Sequence, residues 1–286
     1  MTSTPRRRWL AGTAGLALCA WAGPGLAQAQ AFRLQTPTAL PPTPRTWSFQ
    51  VFDNGDLVGI QRQGSKGKTE LHVLTAGSNY QRFAFQLETA LAAADEGWAF
   101  VALANRDLLA VRRAGASGKT EVHVLDAERD YASFKLQVPT ALPPTDRRWS
   151  FGANAAGDLY CINRLSSTGQ TEVFVLDARS RYAKVALHAH TALHATDTTW
   201  DFGVMPTGDL VAINRGGDSQ RCEVHVLAAD KRFAAFRRQV PSPLPSVDRS
   251  WQFALRANGE VYAVHTEGGS SGKTEVHVFT GAATGN

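Results

Sequence analysis

An all-β, five-bladed β-propeller is the fold this sequence predicts, and three observations predict it. Trp47, Trp98, Trp149, Trp200 and Trp251 recur every 51 residues, and self-similarity at such a period marks a solenoid, a propeller or a tandem array. Each 51-residue repeat divides into four short runs with strand character, which is the content of one propeller blade. One repeat is split between the two ends of the chain. An open array has no use for that split, whereas a ring closed by the N-terminal strand removes the exposed edges that invite aggregation.

The period holds well beyond tryptophan. Leu57, Leu108, Leu159, Leu210 and Val261 follow it, as do Phe32, Phe83, Phe134, Val185 and Phe236. Glu70, Glu121, Glu172, Glu223 and Glu275 keep it too, with one extra residue before the last. In the first complete unit, 47–51 alternates apolar and polar and reads as the first strand. Asp53-Asn54-Gly55-Asp56 supplies the turn, and Asn-Gly predicts a type I′ hairpin with positive φ at both central residues. Residues 57–62 form the second strand, a Gly/Ser/Lys loop leads to the third at 69–74, and a further turn leads to the fourth at 83–87. No segment sustains a helical period. The last unit stops after Val276-His277-Val278-Phe279, so residues near 32–36 are expected to complete its blade.

Residues 1–29 read as an export signal: Arg6-Arg7-Arg8, then an apolar run from Leu10 to Ala22, then Ala27 and Ala29 as an A-x-A cleavage site. Arg6-Arg7-Arg8-Trp9-Leu10 also resembles a twin-arginine signal, with ordinary Sec export an equal alternative. A secreted or periplasmic protein is expected, with residues 30–286 as a single propeller domain. Removing Arg6, Arg7 and Arg8 from the 30 basic residues leaves 27 against 25 acidic ones, and no concentrated basic face points to nucleic acid. No stretch reaches the roughly 20 apolar residues of a membrane span.

The string Gly118-Lys119-Thr120-Glu121-Val122-His123-Val124-Leu125, followed by Tyr131, Phe134, Leu136-Gln137, Thr140-Ala141-Leu142, Asp146 and Trp149, resembles a bacterial repeat related to the FG-GAP/VCBS propeller families that accompany secreted hydrolases. By five-fold architecture the chain is also similar to tachylectin-2-type lectins. The resemblance implies a secreted recognition module, with sugars as the expected ligand. It departs from FG-GAP repeats at the first hairpin, which carries only Asp53-Asn54-Gly55-Asp56 and its counterparts. Calcium takes six or more oxygen ligands, so no metal is expected in these turns.

A site is expected between adjacent blades, where the second-to-third loops and the fourth-to-next-first loops emerge on one face. The first set brings Lys68, Lys119 and Lys273; the second brings Asp95, Asp146, Asp197 and Asp248, each just before a repeat tryptophan. With Trp47, Trp98, Trp149, Trp200 and Trp251 they would offer indole faces, carboxylates and amines, the combination a sugar ring with its hydroxyls requires. The alternative for the tryptophans is packing between blades, and for the aspartates capping of a turn. Pairing Ile60 with His72 would place Arg62 opposite Glu70, and likewise in later units, as a cross-strand ion pair holding each blade. The His72, His123, His225 and His277 series reads as structural in the same way.

Three motifs are set aside. Gly-Lys-Thr lacks the upstream glycine and following helix of a phosphate loop. His188, His190 and His194 occur once and show no carboxylate or thiol partner, so an outer solvated strand is expected. Cys161 and Cys222 point to the same kind of blade face and are expected as free, partly buried thiols. The even Trp-to-Glu intervals leave no insertion for a catalytic constellation, and the innermost runs near 100–104 and 202–205 carry no acids. Catalysis and cofactors are therefore not expected. Glycans or glycoconjugates are the expected partners of a multivalent, non-enzymatic carbohydrate-binding protein; the alternative is a protein-interaction or adhesion scaffold that uses the disc face.

Overall fold

The computed structural model describes residues 31–282; the expected export segment lies outside them. Five four-stranded antiparallel sheets form a ring. Blade 1 is β2 (Trp47–Val51), β3 (Leu57–Gln61), β4 (Lys68–Leu74) and β5 (Phe83–Ala92). Blade 2 is β6 (Trp98–Ala102), β7 (Leu108–Arg112), β8 (Glu121–Leu125) and β9 (Phe134–Pro139). Blade 3 is β10 (Trp149–Ala153), β11 (Leu159–Asn163), β12 (Gln170–Leu176) and β13 (Val185–His194). Blade 4 is β14 (Trp200–Val204), β15 (Leu210–Asn214), β16 (Arg221–Leu227) and β17 (Phe236–Pro245). Blade 5 is β18 (Trp251–Leu255), β19 (Glu260–His265), β20 (Glu275–Thr280) and the N-terminal β1 (Phe32–Pro37), with Leu34 opposite Val278 and Thr36 opposite Val276.

The innermost strands β2, β6, β10, β14 and β18 touch one another around the axis. Five apolar clusters lie between neighbouring blades, one at each junction. The alternation along each strand accounts for this: one set of side chains faces the preceding blade and the other the following one. Ile60 and Leu71, for instance, are wholly buried against blade 2, each contributing about 1.5–3 kcal/mol.

Several expectations need correction. The hairpin at Asn54-Gly55 has positive φ only at Gly55 (+90°), and Phe52 O accepts from Gly55 N at 2.8 Å. This is a type I turn followed by a bulge residue, which leaves one more residue in the loop than a type I′ turn would. The β3–β4 register pairs Gly59 with His72 and Gln61 with Glu70, one residue from the expected pairing. Arg62 thus lies beyond the ladder and does not pair with Glu70. The fourth strand runs on through 89–92 in blade 1 and equivalently in blades 3 and 4, where a loop was expected. Cys161 and Cys222 are free, as expected, and wholly rather than partly buried. Burial drives both thiols up, Cys222 to about 12.

The carboxylates of the first hairpins have a structural task. Asp56 Oδ1 accepts from Ala76 N at 2.9 Å, and Asp107, Asp158 and Asp209 do the same for Ala127, Ala178 and Ala229. Each holds the 3-10 turn that links the third strand to the fourth.

Candidate functional site: clefts between blades

Past the end of the second strand in four of the five blades an arginine reaches across a blade junction. Arg62 donates from Nε and Nη2 to Ser48 Oγ on its own inner strand (3.0 and 2.7 Å), and from Nη1 to the carbonyls of Asp95 and Trp98 (2.8 and 2.9 Å) at the start of the next blade. Its guanidinium lies 5.4 Å from the centre of the Phe100 ring. Arg164 repeats the pattern with Ser150 and Asp197 O, and Arg215 with Asp201, Asp248 O and Trp251 O. Arg113 holds Asp146 O and Trp149 O but meets Ala99 on its inner strand, so its Nε is buried without a partner. Burial, then the charges of Arg164 and Arg62, push Arg113 down to about 10. At the fifth junction Thr266 stands in the arginine's place, and Gln252 Nε2 donates to Trp47 O instead.

These arginines form one wall of three successive clefts. The cleft between blades 1 and 2, of about 170 Å³, is lined by Arg45, Arg62, Gln63, Asp95 and Glu96 among others. The next, about 350 Å³, has Trp98, Arg112, Arg113, Thr145, Asp146 and Arg147. The third, about 470 Å³, has Arg148, Arg164, Leu165, Asp197, Thr199 and Trp200. Arg62, Arg113 and Arg164 occupy one repeat position, and Asp95, Asp146 and Asp197 another.

The expected site residues divide accordingly. Asp95, Asp146, Asp197, Trp98 and Trp200 line these clefts. Trp47, Trp149 and Trp251 line none of the three. Lys68, Lys119 and Lys273 also line none of them, because they sit at the third-strand end of their loops. The cation expected from lysine comes instead from arginine at the end of the second strand.

The aspartates also shape the turn into each inner strand. Asp95 Oδ1 accepts from Gly97 N at 2.8 Å, and Asp146 Oδ1 from Arg148 N at 2.8 Å. Asp197 Oδ1 accepts from both the N–H and the hydroxyl of Thr199 (2.8 and 2.5 Å), and Asp248 treats Ser250 alike. The bond from Arg148 holds the Asp146 carboxyl below the usual range, and that from Thr199 does so for Asp197. Capping uses Oδ1; in Asp146 the second oxygen accepts from Nε and Nη2 of Arg148 at 2.8 and 2.7 Å, and the side chain is still 50% exposed.

Each tryptophan packs over an aromatic of the third strand in its own blade: Trp47 on His72 (4.7 Å between centres), Trp98 on His123 (5.0 Å), Trp149 on Phe174 (5.5 Å) and Trp200 on His225 (5.2 Å). The histidines are fixed from behind by Gln86, Gln137, Gln239 and, at the seam, Gln35 of β1. One indole face is thereby committed to packing.

The channel end opposite the arginines is lined by Val51, Ala102, Ala153, Val204 and Leu255 together with the polar Asp53 and Asn154. The inner strands do carry one acid, Asp201, contrary to the sequence reading. Arg215 grips it at 2.7 Å, while burial pushes its pKa up against Arg215 and Arg164. Among the described residues no helix is long and apolar enough to cross a membrane.

No family model and no curated protein matches the chain. Solved structures with a similar course include hydrazine synthase of Kuenenia stuttgartiensis, at 15% identity and TM-score 0.42, over 80% of this chain and 57% of that one. They also include a fungal AA5-family alcohol oxidase in complex with copper (10%, 0.43, over 88% and 76%). A third is a gluconolactonase of Xanthomonas campestris (11%, 0.43, over 81% and 71%). Likeness at this level does not extend to chemistry.

Proposed function

We propose that the chain is an exported, non-enzymatic, multivalent carbohydrate-binding protein whose sites are the clefts between blades. One observation carries this reading: three successive junctions present the same pairing of an arginine wall with an aspartate, and two of them add a tryptophan. A sugar ring needs an apolar face to lie on and planar polar groups for its hydroxyls. The third cleft supplies both, with Trp200 and Leu165 beside Asp197 and Arg148. Near-equivalent sites on one rigid ring gain avidity of about 10²–10⁴ over a single site. The exposed large apolar side chains among the described residues are Leu165 and Val185. Leu165 belongs to the third cleft and Val185 to an outer strand, so they form no shared docking patch for a protein partner.

A glycan array probed with residues 30–286, followed by calorimetry, tests this. Binding should survive a chelator, show more than one site per chain, and fall at least tenfold on an array surface with Trp200→Ala. Absence of glycan binding at high protein concentration would overturn the reading, as would a Trp200→Ala and Trp98→Ala double variant that binds like the parent.

A further inference from the structure

Blade 3 departs from the repeat at four positions that meet on one patch of its outer half. Phe174 replaces the histidine of the other third strands, and His188 replaces Gln35, Gln86, Gln137 and Gln239 on the fourth. Two residues on, His190 stands where the others have Pro37, Glu88, Pro139 and Pro241. In the loop before the third strand, Ser166 stands at the position of Gly64, Gly115 and Gly217.

The last change frees a carboxylate. In the other four blades the repeat glutamate takes a loop N–H on Oε1: Ser65 to Glu70 at 2.8 Å, Ser117 to Glu121 at 3.0 Å, Ser219 to Glu223 at 3.1 Å and Ser271 to Glu275 at 3.2 Å. The glycines leave room for this, since a Cβ at Gly64, Gly115 or Gly217 would collide with the glutamate. Ser166 puts a Cβ there. Among the described residues, Glu172 receives no loop N–H; only the Thr168 hydroxyl approaches it, at 3.4 Å.

Glu172 instead faces the two histidines. It lies directly across the ladder from His190, as Phe174 does from His188. Oε1 is 3.2 Å from His190 Nδ1, and Oε2 is 3.7 Å from His188 Nε2. One donor atom from each of the three lies within 4.8 Å of the others. The His188 ring stacks on Phe174 at 4.0 Å and 11°, which fixes the direction of its nitrogen edge. A tetrahedral zinc ion with bonds of about 2.0–2.2 Å spaces its ligand atoms by roughly 3.3 Å. Little movement would close the cluster on an ion.

We infer that Glu172, His188 and His190 form a binding site for one late first-row divalent cation, with zinc(II) the best match. Two imidazoles and a carboxylate suit zinc, whereas calcium and magnesium ask for oxygen throughout. Glu172 is 8% exposed and anchors the site, while the two histidine side chains are each 46% exposed. Three protein ligands leave a coordination position facing solvent, open to water or to a donor from a bound molecule. His194, paired with Gln170, stays outside the cluster. None of the three ligands lines the clefts assigned to sugar, so chelation tests the two assignments separately.

Tag-free, chelator-stripped residues 30–286 should take up one zinc per chain when titrated against a chromophoric competitor. His188→Gln, which installs the residue of the other blades, and His190→Ala should each weaken binding at least tenfold. His123→Gln in blade 2 should leave it unchanged. Cobalt(II) should give visible bands of four- or five-coordinate intensity that His188→Gln abolishes, and a thermal melt shows that the exposed-site variants still fold. Absence of saturable binding up to about 1 mM zinc, or equal binding by both blade 3 variants, would overturn the inference.

Discussion

Arg113 shows how much one missing hydroxyl can matter in a repeat. Ser48, Ser150 and Asp201 receive the inward edge of Arg62, Arg164 and Arg215, while Ala99 offers Arg113 nothing there. An unmet buried donor costs about 1–3 kcal/mol. Ala99→Ser should therefore stabilise the fold by about 0.5–1.5 kcal/mol, raising Tm by roughly 2–4 °C per kcal/mol. A melt identical to the parent's would mean that the hydroxyl does not reach the guanidinium. Sequence periodicity revealed the arginine series but not its direction, since a one-residue slip of register turns a side chain to the opposite face of its strand. Glu172 escaped the sequence reading for a different reason: its meeting with His190 depends on the pairing of third and fourth strands, which residue spacing alone does not fix.

At the scale of the element, the first strand of blade 1 agrees to the residue at Trp47–Val51, whereas the innermost runs expected at 100–104 and 202–205 begin two residues earlier, as Trp98–Ala102 and Trp200–Val204. A strict period and strong alternation left no competing register in blade 1. The loops were harder. The first hairpin is one residue longer than Asn-Gly suggests, and the fourth strands of blades 1, 3 and 4 continue to Ala92, His194 and Pro245. Both features depend on neighbouring backbone, not on local residue preference. β1 illustrates the converse: Phe32 falls on the period of Phe83, Phe134, Val185 and Phe236, so its role as a blade's last strand was legible. Deleting residues 30–37 strips β20 of one of its two partners and removes Leu34 from its cluster. Losing this many ladder bonds and buried side chains should cost about 3 kcal/mol or more, lowering Tm by some 6–12 °C. It should also expose a strand edge that promotes aggregation. A truncated chain that melts with the parent and stays monodisperse in light scattering would show that the ring does not depend on this strand.

Across the whole ring, four blades bury a histidine beneath the tryptophan. Burial lowers the pKa of His72, His123, His225 and His277, with the neighbouring glutamate opposing it in each case. The unfolded chain binds protons near pH 6.5 while these folded imidazoles resist them. Their contribution to stability is thus complete above about pH 6.5 and declines as the pH falls below it. Melts at pH 7.5 and 5.5 should show the lower Tm at 5.5, and His123→Gln should narrow the gap. Equal melting temperatures would contradict the buried, neutral state of these rings.

The seam between β1 and β20 also gives the molecule a mechanical polarity. Phe32 at the entry to β1 stands opposite Phe279 near the exit of β20, so both chain ends leave from the same end of the ladder. Tension applied through the two termini pulls these strands apart like a zipper, loading one rung at a time instead of shearing all of them together. A ring anchored at one end alone feels no such load at its closure, whereas a ring tethered at both would open first at that seam, with the remaining four blades still joined in series.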